Sequence, residues 1–457
     1  MLFNSTLFLF LFLPVTLLAF YTVPPAWRMG VLGAASLVFY GAARLTPLVF
    51  LILSCLWAFA MAFLLYRHTS RWLLALGVSF PLAVLFLFRY LGFTLDSLGV
   101  DEAGRQPFYF FLSVLLPAGI SFYTFQILAY TIDVRDHNRA QPDRNILHFI
   151  TFISFFPQLI AGPIVRYHQI ADQLRAVTRQ RHLDPDVAGG VKLLAVGLFG
   201  KVFFADMLGI IQERYDVQGA ASALDASLSV LAYSLRIYYD FWAYSIIAIG
   251  LAKLFAISLP RNFREPYLSR NPREFWRRWH VTLSYFLRDY VYIRLGGNQA
   301  YARNILFVFA LCGLWHGAGW NFVVWGLYHA VLVLAYTAVA PAWDRMPAWL
   351  QMSLTFLLVS LGWPLFYLGF ADYGLLMKTI FWSGAWTPQA FGPLEWSFTL
   401  AVTAWTFLAR EDRWLHGTDG VTSALGRVIG HPVAWAGMVY LSVLFFSWSK
   451  TFIYFRF

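Results

Sequence analysis

Ten histidines occur in this chain of 457 residues, and two of them stand where an imidazole could move a proton. His316 lies in Cys312-Gly-Leu-Trp-His-Gly-Ala-Gly-Trp-Asn321, inside an otherwise apolar run. Gly313, Gly317 and Gly319 weaken any helix there and let other groups approach the backbone closely. An ionisable group at membrane depth is costly and marks a functional site by default. The plain alternative is a core histidine hydrogen-bonded to a neighbouring helix. His280 lies 36 residues earlier, at the end of Phe275-Trp-Arg-Arg-Trp-His280. On a continuous helix Arg273, Arg277, His280, Ser284 and Arg288 recur at three- and four-residue steps and share one face. That face is cationic and suits an anionic donor such as a phosphopantetheine or nucleotide phosphate. His329, in Trp325-Gly-Leu-Tyr-His329, lies 13 residues past His316 and reads as a supporting position, as do Trp315 and Asn321.

Other polar groups in apolar surroundings are fewer. Arg236 and Asp240, four apart, read as a buried pair. Asp133 ends an apolar run and suits a cap or a pair with a cytoplasmic arginine. Gly296-Gly297-Asn298 is a turn. No Walker or Rossmann pattern occurs, and no two-histidine, one-carboxylate spacing argues for a metal. Cys55 and Cys312 both lie in apolar runs and form no disulfide framework. The last residues, Phe452-Ile-Tyr-Phe-Arg-Phe457, set four aromatics around one arginine. Such a tail is either an interfacial anchor or a peptide that docks into the protein's own cavity.

The elements that must hold these residues follow from composition. Sixty per cent of the chain is hydrophobic and only 12% is charged, about half the roughly 25% of soluble domains. So few polar residues cannot cover a compact body of this size, which leaves a polytopic helical membrane protein: all-α, with about 10 to 12 spans plus re-entrant or interfacial helices. Candidate spans are 2–21, 30–43, 46–66, 72–93, 108–134, 187–211, 228–257, 304–338 (interrupted), 350–370 and 432–448, with shorter apolar pieces at 146–165, 374–383 and 394–409. The run 2–21 lacks a basic leader and a small-residue cleavage site, and reads as a retained span. The organisation expected is one membrane domain: N-terminal spans over 1–107, a core over 108–338, and C-terminal spans over 339–457.

The net charge of +11 fits cytoplasmic loops under the positive-inside bias, with no nucleic-acid partner. Basic and acidic loops alternate if the N-terminus is outside and 66–71, 135–145 and 258–303 are cytoplasmic. The basic segment 166–182 is then also cytoplasmic, so 146–165 enters and returns or lies in the interface; Pro157 and Gly162-Pro163 suit a broken helix covered by protein or water. Segment 258–303 carries nine arginines against three acids, +6 of the total. Arginines mixed with Phe275, Trp276, Trp279 and Tyr290 suit an interfacial helix.

Taken in order, several stretches resemble the membrane-bound O-acyltransferases (MBOAT), in the bacterial branch typified by alginate O-acetylation membrane proteins. They are Gly119-Ile-Ser-Phe-Tyr-Thr-Phe-Gln126, Gln158-Leu-Ile-Ala-Gly-Pro-Ile-Val-Arg-Tyr167, Arg236-Ile-Tyr-Tyr-Asp-Phe241, Asn271-Pro-Arg-Glu-Phe-Trp-Arg-Arg-Trp-His-Val-Thr-Leu-Ser284, Leu287-Arg-Asp-Tyr-Val-Tyr-Ile293, Gly313-Leu-Trp-His-Gly-Ala-Gly-Trp-Asn321 and the terminal hexapeptide. The resemblance implies a funnel-shaped inner-membrane bundle with a tunnel, His316 as the essential histidine and His280 as the second polar residue. It departs at Ala243–Ala248, where Ile246 takes an acidic position of the family, so no second carboxylate is carried over. It also implies acetyl-CoA as a cytoplasmic thioester donor with no permanently bound cofactor. On the far side it implies a periplasmic esterase-like acetyltransferase and polysaccharide synthesis machinery serving alginate or cellulose. Tyr454 in the tail resembles a transient acyl shuttle. The rival readings are D-alanyl transfer to an envelope polymer, a transporter or flippase without acyl chemistry, and a scaffold for a soluble enzyme.

Overall fold

The computed structural model of this chain describes residues 1–42, 44–114, 116–137, 140–217, 222–409, 415, 429–446 and 452. The elements are helical, and among the described residues the only β-type pairing is an isolated bridge between Ser222 and Ala385. Among the described residues five helical runs are long and apolar enough to cross a bilayer: Leu45–Arg67, Arg71–Ser97, Val187–Glu213, Trp320–Trp343 and Ala348–Phe366. Each of the five falls on an expected span. The chain divides into two compact units, Met1–Leu194 with Ile247–Pro260, and Ala195–Ile246 with Arg261–Phe457.

The first unit contains α1 (Leu13–Thr22), α2 (Pro25–Gly41), α3 (Leu45–Arg67), α4 (Arg71–Leu85), α5 (Ile120–Arg135), α6 (Ile146–Ser154) and α7 (Tyr167–Arg179). The expected span 108–134 is split. A short helix ends at Ser113 and α5 begins at Ile120. Pro117 supplies no amide hydrogen to a helix, and Gly119 adopts φ +73°, which glycine tolerates. The 146–165 segment is broken as its prolines require: α6 gives way to a single turn, Phe156–Leu159, and residues 151–165 are buried. Helix α7 ends against the Arg28 side chain, which donates to the carbonyls of Gln180 at 2.7 Å and Arg181 at 3.1 Å. The last carbonyls of a helix have no intrahelical partner, and a guanidinium satisfies them.

The second unit takes in the end of α8 (Val187–Phe199), then the π-helical turn Gly200–Asp206, and α9 (Met207–Glu213). The 32-residue α10 (Ala223–Leu254) follows. Segment 258–303 is a series of short pieces, including α11 (Pro272–Arg278) and α12 (Val281–Leu287), instead of one helix. Prolines 260, 266 and 272 and the left-handed backbone at Glu265 and His280 interrupt it. Then come α13 (Tyr301–His316), α14 (Trp320–Trp343), α15 (Ala348–Gly362), α16 (Phe370–Lys378), α17 (Pro393–Leu408) and α18 (Pro432–Leu444).

Helices α13 and α14 are the two arms of the interrupted 304–338 span. Gly317 and Gly319 are extended, so the chain turns back after His316. The arms then touch backbone to backbone. A Cβ at Gly313 would collide with the Phe322 carbonyl, and one at Gly326 with the Phe309 carbonyl. Gly326→Val is therefore expected to lower the melting temperature of the detergent-solubilised protein sharply or to abolish its accumulation. Gly374→Ala, in open space on α16, should leave it unchanged or raise it slightly. Equal melting of the two variants would contradict the close crossing.

Candidate active site

His280 owes its position to a broken helix. Asn271 caps α11, its side-chain oxygen accepting from the Glu274 amide at 2.8 Å, and Pro272 occupies the first turn. The helix ends at Arg278; Trp279 is extended and His280 is left-handed, with φ 43° and ψ 54°. A non-glycine residue in that region costs on the order of 1–3 kcal/mol, and such sites cluster where function needs them. The break turns His280 off the arginine face and into the interior, at 1% exposure.

Asn262 holds the ring there. Its side-chain oxygen faces His280 Nδ1 at 3.1 Å and accepts from Thr282 Oγ1 at 2.7 Å, while its Nδ2 donates to Ser245 Oγ at 3.2 Å. The Asn262 carbonyl also accepts from the Val281 amide at 2.9 Å. With the oxygen so oriented, the hydrogen-bond network assigns the His280 proton to Nδ1 and makes Nε2 the acceptor. Burial pushes the imidazole down to about 3, so it is neutral at physiological pH.

His316 ends α13, 3% exposed, with its ring 4.8 Å from Trp315, 5.1 Å from Trp325 and 5.3 Å from Phe366. Trp315 stands 5.8 Å from His280, and Trp325 stands 4.8 Å from His329, which is fully buried and also 5.0 Å from Trp276. Three imidazoles are thus strung through two indoles. Asn321 donates to the Leu365 carbonyl at 2.8 Å and ties the turn after α13 to the segment carrying Phe366.

Two cavities flank this series. One of about 250 Å³ is lined by Arg273, Arg277, Ser284, Arg288, Trp276 and Cys312. Four of the five residues read as one cationic face therefore do line a single cavity; His280 is the exception. Arg273 and Arg277 are exposed and make no hydrogen bond or ion pair among the described residues, whereas Arg288 pairs with Asp289 at 2.6 Å. The Ser284 hydroxyl donates to the Trp276 carbonyl at 3.0 Å. The other cavity, of about 350 Å³, is lined by Trp320, Asn321, Phe366 and Gly369. Cys312, one helical turn before His316, touches the first; Phe366, in ring contact with His316, touches the second.

Asp240 requires a correction. It does not pair with Arg236, four residues away. Arg236 donates to Gln212 at 2.7 Å and Glu213 at 3.1 Å, and Asp240 takes Lys201 at 2.6 Å. A helical side chain leans towards the N-terminus, so an arginine at i points away from an acid at i+4. Lys201 also pairs with Asp206 at 2.6 Å, and all three groups are buried. Residues five apart lie about 140° around an α-helix. The π-helical turn over Gly200–Asp206 widens the coil and brings them to one side. Lys201 lies 4.6 Å from the centre of the Phe452 ring, which also packs on Tyr244. Tyr454 lies outside the described residues. Sequence reasoning missed Asn262, Lys201 and Asp206. A lysine and an aspartate inside the apolar run 187–211 were a visible signal, whereas nothing around Asn262 was.

Residues 34–369, which contain all three imidazoles and Asn262, match the family described as MBOAT, membrane-bound O-acyltransferase. The chain belongs to the MBOAT family. It is an O-acyltransferase with the multi-pass inner-membrane topology of that family, whose members typically use acyl-CoA donors. Its relatives include a protein of Pseudomonas syringae pv. tomato named as a probable alginate O-acetylase AlgI, 38% identical over 80% of this chain and 72% of that one. A peptidoglycan O-acetyltransferase of Helicobacter pylori is 33% identical over 80% and 77% of the two chains. A teichoic acid D-alanyltransferase of Bacillus subtilis is 29% identical over 54% and 68%. Within the family frame, the link is to O-acetylation of alginate and related exopolysaccharides.

His280 gives a prediction with a definite sign. Its folded value lies below the ordinary 6.5, so between 6.5 and about 3 the unfolded chain binds the extra proton. The stabilisation is complete above 6.5 and is lost as pH falls towards 3. The melting temperature of the wild type should drop more steeply between pH 7 and 4 than that of His280→Gln. Identical slopes would show that no desolvated imidazole stands at 280. Asn262→Ala, which leaves the buried Nδ1 proton without its acceptor, should destabilise by about 1–3 kcal/mol in denaturant melts.

Proposed function

We propose that this acyltransferase moves acetyl groups from acetyl-CoA at the cytoplasmic face to a hydroxyl on the far side. There, with a periplasmic esterase-like partner and polysaccharide synthesis machinery, they O-acetylate an exopolysaccharide such as alginate or cellulose. The observation that carries this reading is the position of His316, flanked through Cys312 by an arginine-rimmed cavity and through Phe366 by a second one. The 38% identity to a probable alginate O-acetylase and 33% to a peptidoglycan O-acetyltransferase favour acetyl as the group and an envelope polymer as its destination.

In this reading Arg273 and Arg277 hold the donor's phosphates by charge-assisted hydrogen bonds. The thioester arm runs inward past Trp276 and Cys312 towards His316. The His316 imidazole takes the acceptor hydroxyl's proton as that oxygen attacks the thioester carbonyl. The tetrahedral oxyanion collapses, the C–S bond breaks, and the imidazolium returns the proton to the departing thiolate, leaving an ester. His280, with its proton committed to Asn262, offers an acceptor at Nε2; it orients an N–H of the donor instead of donating to the oxyanion. Trp315, Trp325 and Phe366 exclude water that would hydrolyse the thioester. His329 and Asn321 brace this wall, and Lys201 and Asp240 anchor the tail at Phe452. Tyr454, two residues on, serves as the transient acyl carrier.

Purified His316→Ala is expected to cleave acetyl-CoA about 10²- to 10⁴-fold more slowly than wild type at equal yield. Tyr454→Phe should retain binding but fail to acetylate polymer in cells. Wild-type rates in His316→Ala would sink the base assignment, and normal polymer acetylation in Tyr454→Phe would sink the shuttle. Mass spectrometry of the acyl group trapped on the protein decides between acetyl and D-alanyl.

A further inference from the structure

The first unit holds a cavity lined by none of the residues assigned to acyl transfer above. It has a volume of about 800 Å³ and is lined by α7, the start of α6 and the loop 140–145. These are two of the basic stretches expected on the cytoplasmic side, brought to one concavity. We propose that this cavity is a binding site for a phosphate anion, carried either by a lipid headgroup or by a soluble nucleotide.

The acids in the cavity are already matched. Asp143 accepts from His148 Nδ1, from the Tyr167 hydroxyl at 2.7 Å and from the Asn145 amide at 3.0 Å. Its own amide donates to the Tyr130 hydroxyl at 2.9 Å. Arg175 spends one nitrogen on Asp172 at 2.9 Å and another on the Tyr167 hydroxyl at 2.6 Å. The floor is therefore a hydrogen-bonded network in which both carboxylates have partners, with Asp143, His148 and Tyr167 buried. Two guanidinium groups remain. Arg144 and Arg179 line the same cavity, are exposed, and make no hydrogen bond or ion pair among the described residues.

Scattered surface arginines would need no explanation. Two surplus guanidinium groups on one large concavity, above a floor whose acids are all satisfied, create a site whose unmet demand is for an anion. A forked donor pair matches phosphate oxygens. Basic cavities among membrane helices on the cytoplasmic side are suited to anionic headgroups, and Leu147, 41% exposed beside the polar lining, offers an apolar edge for an acyl chain. The site rests on groups separate from His316, so its test is independent of the acyltransferase reading.

The test uses full-length protein in detergent without phosphate, titrated with dioctanoyl phosphatidylglycerol in one arm and ADP in the other, followed by thermal shift. At least one probe should bind saturably, and the double variant Arg144→Gln/Arg179→Gln should bind it at least about tenfold more weakly, with an unchanged melting temperature in the absence of probe. His316→Ala should bind like wild type. Response to the lipid alone assigns a headgroup, and response to ADP alone assigns a soluble nucleotide. If neither probe binds, or if the double variant binds as tightly as wild type, the site does not exist.

Discussion

Two helices can approach to backbone contact only where neither carries a side chain at the crossing, and α13 and α14 meet this condition through Gly313 and Gly326. That contact sets His316, Trp325 and His329 against one another. The tight return after His316 lays Trp325 and His329 of one arm against the end of the other, so that His316 is walled by Trp325 and not by lipid. A wider crossing would move the two arms apart by the thickness of a side chain and open the imidazole to solvent on that side. The glycines are therefore a packing requirement first, and through it they bring the aromatic walls around His316 together.

Polar groups inside an apolar protein each need a partner, because an unmatched one costs several times what a matched one contributes. The long helix α10 supplies many of them. Asp240 takes Lys201, Phe241 packs on His280 at 4.7 Å, Tyr244 packs on Phe452, and Ser245 holds Asn262. Within six residues one helix thus fixes a buried cation, the second imidazole and the first aromatic of the tail. Buried ion pairs of this kind add little net stability. Their effect here is to make one arrangement of α10 and the π-helical turn much better than its neighbours, since any slip would leave Lys201 or an aspartate unpaired.

Acyl transfer from a thioester competes with hydrolysis, so an imidazole that activates a hydroxyl must be screened from bulk water while donor and acceptor still reach it. In the proposed reading the aromatic enclosure of His316 would supply the screen; of the two cavities, one is lined by Arg273 and Arg277, which make no ion pair among the described residues, and the other by Trp320, Asn321 and Phe366. The charge asymmetry suits a polyanionic donor on one side and a neutral hydroxyl acceptor on the other.

The helical class, the membrane setting, the interruption after His316 and the cationic cavity were legible in the sequence, because they depend on composition and on local spacing. Apolar runs of about 20 residues must span, glycines and prolines must break helices, and arginines at three- and four-residue steps must share a face. The same local logic failed where the backbone left the regular helix. It put His280 on the arginine face, because spacing cannot foresee a left-handed residue at the end of α11, and it paired Arg236 with Asp240, because spacing cannot know that Lys201 waits on another helix. Asn262 was invisible altogether, its role being set by Ser245, His280 and Thr282, which lie 17 to 20 residues away and meet it only through the turns of the chain. Periodicity is a property of neighbours along the chain; partners across space are chosen by which buried donor finds which acceptor once the helices have packed.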